Sequence, residues 1–359
     1  MHRRMAKIQV GGTNGKGSTI AWMNQLLTAS GYKVGVFTSP HLIHHTERIC
    51  IGKEPISFED WERIYDTYTD LFEEKEFTMF EIDLWMAVAY FLEKNVDVAL
   101  MEVGLGGRLD ATTALDYNLT MITNVGMEHQ DVLGDSIEQI TYEKSGIFKP
   151  GVIALTTETK ENSQRVMELV AGYIKAMLGF VEMPYERKDG RITFTWMDHT
   201  FTFKHPVYQL NNLALALEGL HQMGYALDAQ CVQDVINAFE WNGRFTILRK
   251  EPLILVDGAH NEDGIRALVR SLQTFDGDIY FCVLKDKNAP AMLEMLESLH
   301  GKVTLVRMDS ERLYPYEKLH RGSITVTEMI DRLQQTENKT LICGSLYFVG
   351  ETLKLFNRN

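Results

Sequence analysis

The sequence predicts an α/β protein built on a mostly parallel sheet, followed by a second, smaller α/β domain. Strand-like apolar segments alternate with segments of helical spacing along almost the whole chain. The first of these strands runs into a glycine-rich turn, a helix and another strand, the order of a βαβ unit with its right-handed crossover. The length of 359 residues also exceeds the ~100 to 200 usual for one domain. The pattern restarts after Trp241-Asn242-Gly243-Arg244, so a boundary is expected near residues 243–251, dividing 1–245 from 246–359.

Each element follows from local pattern. Lys7 to Val10 is short and β-prone, and Ser18 to Ala29 carries Ile20, Met23, Leu26 and Leu27 at helical spacing, ending near Gly31. Lys33 to Thr38 reads as the next strand. Phe58 to Phe72 and Phe80 to Leu92 read as helices, and Val96 to Val103 and Leu119 to Asn124 as buried strands. Gly151 to Thr156 begins a strand, Lys160 to Leu178 a helix, and Arg191 to Phe203 alternates as β-structure does around charged turn residues. Leu210 to Met223 is helical. Strands are then expected at Leu253 to Val256, Ile279 to Leu284, Val303 to Val306 and Thr340 to Cys343.

Composition excludes several classes. Hydrophobic residues at 45% and charged residues at 24% match a globular chain rather than a disordered or fibrous one. A net charge of −13 argues against a broad basic face for nucleic acid, while leaving room for an anionic small ligand bound by local lysines, arginines and backbone amides. Cys50, Cys231, Cys282 and Cys343 are widely spaced, against a structural zinc site or disulfide framework and in favour of a reducing cytoplasm. No run approaches the ~20 apolar residues of a spanning helix. The chain is therefore expected to be cytoplasmic, away from membranes.

The strongest chemical signal is Gly12-Thr13-Asn14-Gly15-Lys16-Gly17-Ser18, sited between predicted strand and helix. Glycines let the backbone wrap an anion, the helix N-terminus adds partial positive charge, and Lys16 reaches outward towards phosphates. The standard P-loop has Ser or Thr straight after the lysine and an earlier glycine; here Gly17 and Val10 hold those places. Glu102 ends a predicted strand and is followed by Gly104, Gly106, Gly107 and Arg108. A carboxylate there can meet a Mg²⁺ ion held by phosphates, with the glycines giving close approach and Arg108 an anion clamp. By itself such a glutamate is as readily a solvated or ion-paired group. His129, in Asn124-Val125-Gly126-Met127-Glu128-His129, follows another strand and can converge on the same edge or be merely structural. Spacing alone makes Lys144 a solvated lysine near a helix end.

Together, GTNGKGS at 12–18, TSPHL at 38–42, ERI at 47–49, EVGLGGRLDAT at 102–112, EH at 128–129, EKSGIFK at 143–149, DGAHN at 257–261 and GSLYFVGE at 344–351 resemble the folylpolyglutamate synthase/dihydrofolate synthase family of the Mur ligase superfamily. The resemblance implies a P-loop-containing ATPase domain with a mostly parallel sheet and a smaller Rossmann-like C-terminal glutamate ligase domain. It implies an ATP- and Mg²⁺-dependent amide ligase that joins a folate carboxylate to glutamate through an acyl phosphate, with a second domain closing over the first. By resemblance, Gly12, Thr13, Asn14, Gly15, Lys16, Gly17 and Ser18 hold the triphosphate, with Asn212, Arg244 and Asp257 also on ATP. Ser39 and Glu102 would bind one metal ion, and Glu102, His129 and a carbamylated Lys144 a second; Lys16, Lys144, His129 and Glu102 form the catalytic set. His260 and Ser345 match glutamate-side positions.

Departures bear on the acceptor. The family's longer helical segment before the first strand has only a handful of residues as its counterpart here, so part of the pterin-side surface is expected to be missing. Asn242, Thr113 and Leu84 stand where the family usually has Pro, Asn and Thr. The leading expectation is glutamate addition to a reduced folate by a monomer. The alternatives are dihydropteroate as acceptor, another acid altogether, or an ATP-binding relative without catalysis.

Overall fold

The computed structural model describes residues 5–188, 191–272 and 274–356. The chain divides into two compact units, Met1–Phe239 and Glu240–Asn359.

The first unit opens with β1 (Ala6–Gly11), α1 (Lys16–Ala29) and β2 (Val34–Phe37). A 3₁₀ turn at His45–Arg48 leads to the short strands β3 (Ile49–Ile51) and β4 (Glu54–Pro55). Helices α2 (Phe58–Glu74) and α3 (Met79–Glu93) follow; Ser57 caps the first, and the second starts with a capping box of Thr78 and Glu81, each satisfying an orphan backbone N–H. Then come β5 (Val98–Glu102), β6 (Leu119–Ile122), α4 (Gln130–Leu133), α5 (Ile137–Ser145), β7 (Ile153–Thr156), α6 (Glu161–Ile174) and β8 (Met177–Phe180). The unit closes with β9 (Tyr185–Lys188), β10 (Arg191–Trp196), β11 (His199–Phe203), α7 (Val207–Gln222) and α8 (Ala229–Ala238).

Eight of these strands form one sheet in the order β4-β3-β2-β5-β1-β6-β7-β8, parallel from β2 to β8. The fully buried runs Val98–Met101 and Leu119–Ile122 fit strands covered on both faces. Chain order reverses on either side of β1, so the loops leaving β1, β5 and β6 open a crevice at the sheet's carboxyl edge. Register aligns them: Val10 lies opposite Glu102, and Gly11 opposite Ile122. The antiparallel trio β11-β10-β9 stands apart, its Phe194, Phe201 and Phe203 buried and Trp22 of α1 tilted against Phe203 at 6.2 Å.

One expectation needs correction. The helix expected over Lys160 to Leu178 ends at Ile174, because Lys175 turns into the left-handed region and the following residues pair with β7 as β8. Arg191 to Phe203, expected to alternate around charged turn residues, is a hairpin turned at Met197 and Asp198, both at positive φ.

The second unit contains β12 (Thr246–Lys250), β13 (Leu253–Asp257), α9 (Glu262–Leu272), β14 (Asp278–Phe281), α10 (Ala289–Glu297), β15 (Lys302–Arg307), β16 (Ser323–Thr325), α11 (Val326–Gln335), β17 (Thr340–Cys343) and α12 (Leu346–Phe356). Its six strands run β12-β13-β17-β14-β15-β16, all parallel except the first pair. Leu255, Ile279, Phe281 and Leu341 join Ile265, Leu268, Met292 and Leu296 in its own core.

Candidate active site

The loop between β1 and α1 is shaped for an anion. Gly12 and Gly15 sit at φ 132 and 90, and a Cβ on either would collide with Thr123 Oγ1 or Asn212 Oδ1 respectively. Only glycine gives the loop this path. The loop is tied to the segment after β6. Thr13 donates its amide to the Asn124 carbonyl at 2.8 Å, Asn14 its amide to Asn124 Oδ1 at 3.0 Å, and Gly126 its amide to Thr13 Oγ1 at 2.9 Å. Thr123 Oγ1 donates to the Asn14 carbonyl at 2.7 Å. Lys16 Nζ turns back on the loop, donating to the carbonyls of Gly12 at 3.2 Å and Thr13 at 3.4 Å.

Ser18 and Asn212 belong to one polar chain between α1 and α7. Gln209 Nε2 donates to Ser18 Oγ at 3.4 Å, while Gln209 Oε1 accepts from Trp22 Nε1 at 3.2 Å and from Asn212 Nδ2 at 3.1 Å. This chain brings the Asn212 amide against Gly15, joining positions 197 residues apart in sequence (212 − 15).

Glu102 is buried at the end of β5, and its Oε2 accepts the Ser39 amide at 3.1 Å. The glycine stretch beyond it is held internally: Asp110 Oδ2 accepts the amides of Gly104 and Leu105, and Asp110 Oδ1 accepts that of Thr112. Arg108, expected as an anion clamp, pairs instead with Glu143 at 2.8 Å and donates its amide to the Glu143 carbonyl. Its guanidinium thus joins this stretch to α5, and Gly107 leaves no room for a side chain there, since a Cβ would collide with the carbonyls of Glu143 and Lys144.

Lys144 overturns its reading as a solvated lysine. It is 4% exposed, and its Nζ donates to the Gly12 carbonyl at 3.1 Å, the carbonyl that Lys16 also uses. Burial, with Lys16 nearby, lowers its pKa from 10.5 to about 7, opposed by the charge of Glu128. His129 stands at positive φ before α4, half-exposed, with Nε2 3.6 Å from Glu128. Glu158, which no sequence pattern singled out, is buried and accepts the amides of Val125, Thr159 and Lys160, fixing the β6 loop that carries these residues.

Among the described residues no three His, Cys, Asp or Glu side chains are grouped so as to hold a metal ion. A hard divalent cation needs no all-protein cage, since substrate phosphates supply oxygen ligands beside one or two carboxylates. Buried Glu102 next to Ser39 fits that requirement.

In the second unit, Asp257 closes β13 and uses its carboxylate locally, Oδ2 accepting the Phe245 amide and Oδ1 the Ala259 amide, each at 2.8 Å. Arg244 lies against Gly258, where a Cβ would meet its guanidinium. His260 Nδ1 is 2.8 Å from the Gly258 carbonyl. Ser345 precedes α12, buried, with a hydroxyl that has no hydrogen-bond partner.

The Mur ligase middle domain matches residues 10–227, and the Mur ligase glutamate ligase domain matches residues 243–343. Fold and nucleotide loop therefore define an ATP-dependent ligase of the Mur type. The dihydrofolate synthase/folylpolyglutamate synthase of Bacillus subtilis is 30% identical over 396 aligned residues, 98% of this chain and 90% of its own length. E. coli FolC, solved with DHPP and ADP, aligns with TM-score 0.89 and 28% identity over 98% of this chain and 89% of that one. The Yersinia pestis bifunctional folylpolyglutamate synthase/dihydrofolate synthase, solved with AMPPNP and a Mn ion, gives 0.88 and 27% over 98% and 89%. This chain belongs to the dihydrofolate synthase/folylpolyglutamate synthase family. No helix among the described residues is long and apolar enough to cross a membrane.

Proposed function

We propose that this chain adds glutamate to a reduced folate at the expense of ATP, through an acyl phosphate. The observation that carries the reading is the convergence of the glycine loop, the Ser39–Glu102 contact and buried Lys144 on one sheet edge. Backbone amides of residues 12–18 and Lys16 bind the triphosphate, with Asn212, Arg244 and Asp257 as further ATP contacts. The acceptor carboxylate and the γ-phosphate repel each other, and Mg²⁺ supplies the neutralising charge when bound. Ser39 and Glu102 would hold one such ion, and Glu102, His129 and carbamylated Lys144 a second. Lys16 swings from the carbonyls of Gly12 and Thr13 onto the β- and γ-phosphates and balances charge as the γ-phosphoryl group passes to the acceptor carboxylate. The glutamate amine then attacks the acyl carbon and phosphate leaves. His260 and Ser345 position that glutamate, the unpartnered Ser345 hydroxyl being available to a carboxylate.

Lys144 acts as a carbamate. Its lowered pKa leaves a neutral amine near pH 7, whose nitrogen adds to the carbon of CO₂ and loses a proton to solvent. The product is an anion beside Lys16, turning a like-charge contact into an attraction and an ammonium into an oxygen ligand. The protein works in the cytoplasm as a monomer on small substrates, without nucleic acid or membrane.

The test is incubation with ATP, Mg²⁺ and glutamate together with a reduced folate or dihydropteroate, reading ADP release and product mass. Glutamylated folate is the expected product. Product from dihydropteroate alone moves the assignment to dihydrofolate synthase, and product from neither acceptor points to a different acid.

A further inference from the structure

The segment linking β2 to β3 carries Ser39, and two separate devices hold it. One is internal: the Glu47 carboxylate accepts the amides of Leu42 at 2.8 Å, Ile43 at 3.1 Å and His44 at 2.8 Å. The other comes from α3. Asp83, with a side chain 2% exposed, binds Arg48 Nη1 through Oδ2 at 2.9 Å and His45 Nε2 through Oδ1 at 2.7 Å. Arg48 Nε in turn donates to His41 Nδ1 at 3.2 Å, two residues beyond Ser39, whose amide binds Glu102. One turn earlier on α3, Phe80 lies beneath Gly104, where an added Cβ would come within 2.7 Å of its ring. A single helix therefore touches the segment bearing Ser39 and the stretch following Glu102.

We propose that Asp83 is a positioning residue: through Arg48 and His45 it sets where the segment 39–45 lies, and so the placement of Ser39 on Glu102. The proposal rests on the assignment of Ser39 and Glu102 to the metal. Glu47 fixes the internal shape of the segment but reaches no other element through those bonds, whereas Asp83 ties that shape to α3. A buried carboxylate joined to a guanidinium and an imidazole is a costly way to fill a core, and an apolar pair of similar volume often serves stability equally well. Placement is what that pair cannot reproduce.

This gives the test its form. Asp83→Asn alone leaves Arg48 buried without its counter-charge and can simply unfold the protein, so the deciding variant is Asp83→Leu with Arg48→Met. Its thermal stability is expected to stay near that of the parent. In the ligand-free protein, hydrogen exchange at residues 39–45 is expected to accelerate while β5 and α3 stay protected. The Mg²⁺ concentration for half-maximal ADP release is expected to rise on the order of tenfold or more, as a ligand misplaced by about an ångström implies. Nucleotide binding without metal should be unchanged, because it depends on the glycine loop. A stable double variant with parental exchange at 39–45 overturns the proposal. Ser39→Ala, measured in parallel, separates the two readings. A Mg²⁺ response unchanged in Ser39→Ala overturns the metal assignment, whereas one impaired there and unchanged in the double variant overturns the role of Asp83 alone.

Discussion

Two lysines share the Gly12 carbonyl, and their chemistry differs because their surroundings do. Lys16 leaves the loop freely once a better anion arrives, so Lys16→Ala should leave the fold intact and remove ATP turnover. The loss should be about 3 to 4 kcal/mol of transition-state stabilisation, as for other preorganised donors. Near-parental turnover by a folded Lys16→Ala protein would refute the loop assignment. Lys144 is fixed in the interior, and burial lowers its pKa to about 7 from 10.5. Below pH 7 the native and unfolded states both carry its proton and the full penalty of burying the charge is present. Between about 7 and 10.5 the unfolded chain binds more protons, so stability rises with pH across that window. In CO₂-free buffer, urea denaturation from pH 7 to 9 should show this rise, and Lys144→Met should flatten it. Supplying ¹³CO₂ should give a carbamate carbon signal that Lys144→Met lacks; active, metal-loaded protein with a bare lysine contradicts the carbamate.

Contacts between elements decide whether the loop is competent. Between α1 and α7, Gln209 serves Trp22, Ser18 and Asn212 together. Gln209→Leu would strand the buried Trp22 N–H and release the Asn212 amide beside Gly15, costing about 1 to 3 kcal/mol of stability. Calorimetric melting should show that loss, and nucleotide titration should show weaker ATP binding. Unaltered binding in the destabilised protein would confine Gln209 to a structural part. Gly15→Ala is a sharper probe of the same joint, since its φ of 90 and the nearby Asn212 oxygen both oppose a Cβ. It should abolish nucleotide binding at temperatures where the protein remains folded.

At the scale of the molecule, each compact unit encloses its own apolar core, and the second closes a six-stranded sheet without strands from the first. The segment Glu240–Asn359, expressed alone, should therefore fold and unfold cooperatively, with mixed α/β circular dichroism. A chain that stays disordered would show that this sheet depends on the rest of the protein.

The sequence by itself determined the α/β class, the βαβ start, the glycine loop, and the family through eight ordered motifs. Those signals are local: apolar period, glycine spacing and short motifs need no knowledge of neighbours. Even strands such as Thr340–Cys343 stand out, because burial on both faces demands an unbroken apolar run. The structure alone decided which loops meet. Sheet order, with β1 between β5 and β6, aligns Glu102 and the Asn124 loop with the glycine loop, and no residue pattern states an order of parallel strands. Lys144 looked solvated because its burial comes from the turn of α5 against Gly107 and Gly12, over a hundred residues away for the latter. Glu158 and Asp83 passed unnoticed for the same reason, and Asn124 and Gln209 stood in or beside recognised segments without a role of their own. Each acts by binding groups on other elements or loops, and polar residues reveal such partners only when the chain has brought them within about 3 Å.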